Sequence, residues 1–373
     1  MAISLSQLVE LFKANLAGIV AALVISPAAI WITRRAGLLD VPGRELHKQH
    51  IRPTPVAGGV VLMAAAAILF SVFNLWHKPF VLLFVAAAII FLFGIWDDAR
   101  GLSAPAKLAG QVLASILLII SGISVQFLNG LQITFLSPTL IKVLQWIITV
   151  IWLTGITNSI NMIDSMDGLA AGITGIAFVF FMGMAVVAKQ TDLAILSGIF
   201  LGICIGLFLF NSSPARLFLG DSGAQTLGFI LAAVAILYVP EKLPQGSSWF
   251  VPIMVMGVPI FDTVLVVISR IRRKKPIFQA DCAHTYHRLV GMGIDSNRAV
   301  LIIHLASLML SFLAFIALTL SPWPATMVFG STVLVGIFFL LFLEHKMPGV
   351  SENGNSVRNL QDMDSEYDER PSI

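Results

Sequence analysis

Leu193–Asn211 reads "LAILSGIFLGICIGLFLFN", a run with no charged side chain, and at about 1.5 Å per residue it is long enough to cross the hydrocarbon of a bilayer. Lipid is therefore its solvent, and in lipid every backbone N–H and C=O must be paired within the segment, so the run is predicted to be a helix. Comparable stretches lie at 11–33, 56–76, 79–96, 107–126, 138–157, 168–188, 222–240, 248–270, 298–320 and 323–344. Together they predict an all-α polytopic membrane protein with about eleven transmembrane helices. A barrel would need short alternating strands instead. The composition agrees, being 57% hydrophobic and 12% charged where soluble domains carry about 25% charge.

Residues 1–350 are expected to form one transmembrane domain. Residues 351–373 are polar and mostly acidic, with Glu352, Asp362, Asp364, Glu366, Asp368 and Glu369, and are expected to be a disordered cytoplasmic tail because they bury too little apolar surface to fold. Of the 23 lysines and arginines, all but Lys13, Lys78, Lys142, Lys189 and Lys242 fall in one set of loops. The positive-inside rule then places the N-terminus outside and the C-terminus in the cytoplasm. The first apolar run ends in Arg34-Arg35 without a small-residue cleavage site, so it is expected to remain a helix. Cys204 and Cys282 form neither a disulfide framework nor a metal-binding pair. A net charge of +3 clustered beside the membrane suits phosphates and headgroups and argues against nucleic acid as a partner.

Carboxylates are scarce outside the tail, and five of them gather in three successive cytoplasmic loops. Asp97 and Asp98 close the third span, Asp164 and Asp167 lie in "TNSINMIDSMDGLAAG" between the fifth and sixth, and Asp221 opens the eighth in "LFLGDSG". Each alone could cap a helix. Together they repel unless a cation compensates, and oxygen donors of this kind favour magnesium or manganese. The loop "RIRRKKPIFQADCAHTYHRL" supplies the opposite charge. His284 and His287 share a helical face there, and with Arg288 they are candidates to hold phosphate; zinc would need Asp281 or Cys282 as a further ligand.

The first cytoplasmic loop, "LDVPGRELHKQHIRPTPVAGG", adds Arg44, His47, Lys48, His50 and Arg52, with Lys48 and His50 as substrate-binding candidates, and Gly58-Gly59 for close backbone approach. Asp262 lies inside the ninth span, where an ionisable side chain is expensive and functional by default. A metal to bridge a diphosphate, cations for its remaining oxygens and apolar helices for a lipid tail point to a lipid-linked phosphotransferase.

From about Asp40 to Leu289 the chain resembles the polyprenyl-phosphate N-acetylhexosamine-1-phosphate transferases. The resemblance rests on "DVPGRELHKQH" with "PTPVAGG", the Asp97-Asp98 pair, "NSINMIDSMDGLAAG", "FLGDSG", "PIFD" and "DCAHTYHRL". It implies transfer of a sugar 1-phosphate from a UDP-N-acetylhexosamine to undecaprenyl phosphate, with UMP released, in a bacterial cytoplasmic membrane and with the site facing the cytoplasm. By resemblance Asp221 holds the catalytic magnesium, with Asp97 and Asp98 beside it near the lipid phosphate. Asn158, Asn161, Asp164 and Asp167 match the nucleotide-site loop, and His284 and His287 match the loop that closes over the phosphates and sugar. The catalytic candidates are thus Asp97, Asp98, Asp221, His284 and His287. Tyr286 and Gly101 depart from the family pattern.

The phospho-MurNAc-pentapeptide branch carries three consecutive histidines, so "HTYHR" favours the N-acetylglucosamine-type branch that serves O-antigen, common antigen or teichoic acid synthesis. A homodimer is compatible with this reading. The alternative from another class is a proton-coupled transporter, which Asp262 alone suits.

Overall fold

The computed structural model describes residues 4–41, 53–128, 136–239, 248–276 and 283–346. Among them the chain forms α1 (Leu5–Arg35), β1 (Leu39–Asp40), β2 (Thr54–Pro55), α2 (Gly58–Val72), α3 (Phe80–Arg100), α4 (Ala104–Ile120), α5 (Pro138–Ile163), α6 (Leu169–Val187), α7 (Thr191–Asn211), α8 (Gly220–Leu237), α9 (Val251–Val255), α10 (Gly257–Arg272), α11 (Thr285–Gly291), α12 (Ser296–Thr319) and α13 (Pro322–Lys346). Eight of these, α1, α3, α5, α6, α7, α8, α12 and α13, are long and apolar enough to cross a membrane, whereas α2 and α4 are shorter apolar helices. The protein is an all-α polytopic membrane protein.

The predicted span at 248–270 is divided at Met256 into α9 and α10. Pro259 explains the break, because it lacks an N–H and its ring crowds the carbonyl four residues back, at Val255, where α9 ends. Other ends are set by side-chain caps: Ser4 and Gln7 form a capping box at α1, Ser137 accepts from the Leu140 amide at 3.2 Å, and Asp295 accepts from the amides of Asn297 and Arg298. Two helices outlast their apolar runs. α3 continues through Asp97 and Asp98 to Arg100, and α5 continues to Ile163, so Asn158 and Asn161 stand on a helix rather than in a loop.

α8 is the central helix, buried at every residue from Ser222 to Ala235. At the other extreme α13 turns Trp323, Leu334 and Phe338 outward and buries Ala325, Leu343 and Glu344. Lipid is as apolar as leucine, so helices here associate through close packing of small residues rather than by escaping solvent. The start of α8 is gripped in this way. A β-carbon at Gly94 of α3 would lie 2.4 Å from the Cα of Ser222, and one at Gly59 of α2 would lie 2.5 Å from the Ser222 hydroxyl.

β1 and β2 pair antiparallel, Leu39 opposite Pro55 and Asp40 opposite Thr54. Beyond β2 the backbone joins the segment before α8: the Phe218 N–H donates to the Pro55 carbonyl at 2.9 Å, and the Ala57 and Gly58 amides donate to the Phe218 carbonyl at 3.2 and 3.0 Å. The candidates Lys48 and His50, with Arg44, His47, Arg52, Asp281, Cys282 and the acidic tail, lie outside the described residues.

Candidate active site

The site is built at the start of α8. Gly220 has φ +68, and a β-carbon there would lie 2.1 Å from Val56 Cγ1 and 2.9 Å from the Asp98 carboxylate. Only glycine combines that conformation with that space. The turn it makes aims the first amides of α8 at Asp98, whose Oδ1 accepts from the Asp221 N–H at 2.8 Å and whose Oδ2 accepts from the Ser222 N–H at 3.1 Å. Asp98 thus caps α8 from a neighbouring helix, satisfying two amides that have no partner within their own helix and facing the positive end of its dipole. Asp98 was expected as a catalytic residue and metal ligand; in the structure each of its oxygens accepts one amide at the start of α8.

Asp97, one residue earlier on α3, faces a different direction. It is 7% exposed, its Oδ1 accepts from the Leu102 amide at 2.6 Å, and its Oδ2 is ion-paired with Lys107 in the first turn of α4. The Lys107 ammonium also donates to Oδ1 of Asp221 at 3.3 Å. Two further donors reach that same oxygen, Asn161 Nδ2 at 2.8 Å and Gln225 Nε2 at 3.0 Å. Three helices, α4, α5 and α8, therefore agree on the position of one carboxylate oxygen.

Behind it lies a chain of amides. The Thr154 carbonyl accepts from Asn158 Nδ2 at 2.8 Å, and the same nitrogen donates to Gln111 Oε1 at 2.7 Å. Gln111 Nε2 then donates to Gln225 Oε1 at 3.0 Å and to Asn158 Oδ1 at 3.2 Å. Gln111 and Gln225 are 1% and 2% exposed. Each amide's orientation follows from its neighbour's, beginning at a backbone carbonyl that can only accept and ending at Asp221. Asn158 therefore serves as a link in this chain.

The remaining members of the carboxylate group sit on the α5–α6 turn. α5 ends on Asp164. Asp167 Oδ2 accepts from the Ala215 amide at 3.1 Å, and buried Asn211 bridges the Gly168 amide and the Leu217 carbonyl, each at 3.0 Å. These bonds bind the turn to the segment that leads into Asp221.

The histidine loop is fastened to α10. Asp262, 2% exposed, accepts from His284 Nδ1 at 2.7 Å and from the Thr285 amide at 2.7 Å. Next to it, the Thr263 hydroxyl bonds the Ser159 hydroxyl at 2.8 Å, which joins α10 to α5 one residue from Asn158. His287 is half-buried, its ring 5.3 Å from that of Tyr286 and 6.3 Å from that of His284. Arg288, expected as a phosphate ligand, is turned into the protein interior. It is 1% exposed, and its guanidinium is committed to Ser269, Glu344 and the carbonyls of Ala283 and Leu343.

The donor set fits a hard cation. Asp97 and Asp221 converge on one ammonium, and neither carboxylate of that pair is matched by a second cation among the described residues. No three His, Cys, Asp or Glu side chains among the described residues form a metal cluster by themselves. Magnesium is commonly held by one or two carboxylates together with substrate phosphates, and this geometry suits that arrangement. Lys107, Gln111 and Gln225 were not foreseen as site residues. The amides carry no charge to distinguish them within an apolar helix, and Lys107 reads as one more membrane-flanking cation.

The family model described as glycosyl transferase family 4 matches residues 80–239, a stretch that runs from α3 through α8 and includes Asp97, Lys107 and Asp221. Over 323 residues the chain is 30% identical to a probable undecaprenyl-phosphate N-acetylglucosaminyl 1-phosphate transferase of Bacillus subtilis, covering 85% of this chain and 87% of that one. It is 29% identical over 364 residues to the decaprenyl-phosphate N-acetylglucosaminephosphotransferase of Mycolicibacterium smegmatis, covering 89% of each. A phospho-N-acetylmuramoyl-pentapeptide-transferase of Listeria monocytogenes is 36% identical over 218 residues, 54% of this chain and 66% of that one. The chain belongs to glycosyl transferase family 4, among the polyprenyl-phosphate N-acetylhexosamine-1-phosphate transferases that its spaced motifs resemble.

Proposed function

We propose that the chain transfers N-acetylglucosamine 1-phosphate from UDP-N-acetylglucosamine to undecaprenyl phosphate, giving the lipid diphosphate-linked sugar and UMP. The reaction is placed at the cytoplasmic face of a bacterial cytoplasmic membrane, as the first membrane step of a cell-surface polysaccharide such as O-antigen, common antigen or teichoic acid. The observation that carries it is the convergence of Asp97 and Asp221 on Lys107 at the ends of α3, α4 and α8. That is an anionic, cation-seeking site placed where a lipid headgroup would meet a soluble nucleotide.

A non-bridging oxygen of the lipid phosphate attacks the β-phosphorus of the UDP-sugar in line. The bond from that phosphorus to the oxygen bridging the two phosphates breaks, and the oxygen leaves on UMP. Asp221 and Asp97 would hold magnesium, whose chemistry is to neutralise charge on the diphosphate. Lys107 keeps the two carboxylates together and offers a cation to phosphate oxygens. Asp98 fixes the start of α8, while Asn161 and Gln225 fix Oδ1 of Asp221. His284, with Nδ1 held by Asp262, presents its other nitrogen to the phosphates, and His287 lies beside it. A general base contributes little, because the second pKa of a phosphate monoester is about 6 and the attacking group is mostly dianionic at neutral pH.

In this reading α2, α4 and the α9–α10 pair join the eight long helices to make eleven crossings, with the N-terminus outside and the C-terminus in the cytoplasm. The basic loops support that orientation. Asp262 was the one feature that suited a transporter, and its engagement with His284 and Thr285 favours the enzyme.

Purified protein is incubated with undecaprenyl phosphate, magnesium and separate UDP-sugars, namely UDP-N-acetylglucosamine, UDP-N-acetylgalactosamine and UDP-MurNAc-pentapeptide, and UMP is measured. Lipid-dependent UMP release from UDP-N-acetylglucosamine is expected. Release from the pentapeptide donor alone would move the chain to the activity named for its Listeria relative. Release from none would end the proposal.

A further inference from the structure

α13 faces outward along most of its length, yet its last turn buries Glu344. A carboxylate in an apolar span is costly unless paired, and this one is paired twice. Its Oε2 accepts from Arg272 Nη1 at 2.8 Å, and its Oε1 is ion-paired with Arg288 Nη2. Arg288 also donates to the Leu343 carbonyl at 2.9 Å, to the Ser269 hydroxyl at 2.8 Å and, through Nε, to the Ala283 carbonyl at 2.9 Å. Ala283 immediately precedes His284. One guanidinium thus joins α10, the turn that opens α11, and the end of α13.

We infer that Glu344 is a positioning residue of the transferase site, acting through Arg288 to hold the Ala283–His284 turn. Among the described residues, this turn is held from two sides. Asp262 holds the His284 ring and the Thr285 amide from one side, and Arg288 holds the Ala283 carbonyl from the other. Remove the Glu344 charge, and Arg288, 1% exposed, loses the carboxylate on its Nη2, and breaking a buried ion pair from one side costs enough to loosen the side chain from its seat. Arg272 cannot take over, since it is itself a cation that loses the same partner. The Ala283 carbonyl then loses its bond from Arg288, and the tie of His284 to Asp262 carries more of the turn's position. This assigns α13 a part in the chemistry from outside the stretch that matches the family model, which ends at residue 239.

The inference rests on the proposed transferase activity for its kinetic readout. In the purified full chain, Glu344→Gln is expected to lower kcat by about tenfold while leaving KM for the UDP-sugar within about twofold, the pattern of a lost transition-state geometry. Glu344→Asp, which keeps the charge, should recover part of the loss. Hydrogen exchange of the α11 amides should quicken in Glu344→Gln. In a His284→Ala background the Glu344→Gln change should cost no further turnover, because the residue through which it acts is gone. Wild-type kcat in Glu344→Gln, or an undiminished further loss in the His284→Ala background, would overturn the inference and leave Glu344 a structural prop. Should the wild-type chain show no transfer with any donor, the proposed function fails on its own, and α11 exchange then decides the positioning role: faster exchange in Glu344→Gln upholds it and unchanged exchange ends it.

Discussion

Lys107 stands between two carboxylates, donating to Oδ1 of Asp221 at 3.3 Å while ion-paired with Asp97. An ammonium and a dication would compete for the same oxygens. In Lys107→Met the carboxylates lose their fixed counter-charge, so magnesium should bind more tightly and raise Tm more than it does in the wild type. Transfer should nevertheless fall by about 100-fold with the loss of a phosphate-facing cation. Thermal unfolding with and without magnesium, beside UMP release, checks both halves. An unchanged magnesium response would show that the metal binds elsewhere.

The neighbouring aspartates should fail in different ways. Asp98→Asn puts an amide nitrogen where one of two α8 amides needs an acceptor, so it should cost about 1–2 kcal/mol of stability and appear as a lowered Tm. Asp97→Asn should keep Tm and nucleotide binding while losing transfer. Asp221→Asn should lose turnover together with metal-dependent UDP-sugar binding. Calorimetric titration of the nucleotide sugar, run with and without magnesium, separates the three.

Gln111 sets the direction of the amide chain behind Asp221. Gln111→Glu is nearly isosteric, but it turns a donor into an acceptor facing the oxygens of Gln225 and Asn158. To escape that clash Gln225 must flip and withdraw its N–H from Asp221. Turnover is expected to drop by about tenfold or more with KM for the lipid unchanged. Full activity in this variant would mean that Asn161 and Lys107 alone hold Asp221.

Asp262 and His284 should behave as one unit. Asp262→Ala removes both the ring partner and the acceptor for the Thr285 amide, so its kcat should fall about as far as that of His284→Ala, with the double variant no worse than either. Steady-state kinetics on the three proteins test it; multiplied losses would show that they act separately.

The eight long membrane helices were legible because long apolar runs have few alternatives in lipid, and the glycines at 58 and 59 were legible as sites of close approach. Helix ends were less so. Hydropathy stops where polar residues begin, but the α5 backbone continues through Asn158 and Asn161 because their amides find partners on α4 and α8. The carboxylates Asp97, Asp98 and Asp221 were found by charge. Their division of labour was not, since neighbours in sequence point apart on a helix and only the fold shows which one meets the α8 amides. The Arg288–Glu344 pair was not legible for a related reason: among histidines in a basic loop Arg288 resembles a phosphate ligand, and this anionic partner lies 56 residues away at the end of an otherwise apolar helix.

The backbone bonds joining Pro55, Ala57 and Gly58 to Phe218 couple β2 to the turn that carries Asp221. Gly220 follows Phe218 by two residues, so a displacement of β2 is passed to the Asp221 turn through the backbone itself. A fluorophore at Pro53, beside β2, is therefore expected to report movement of the Asp221 turn.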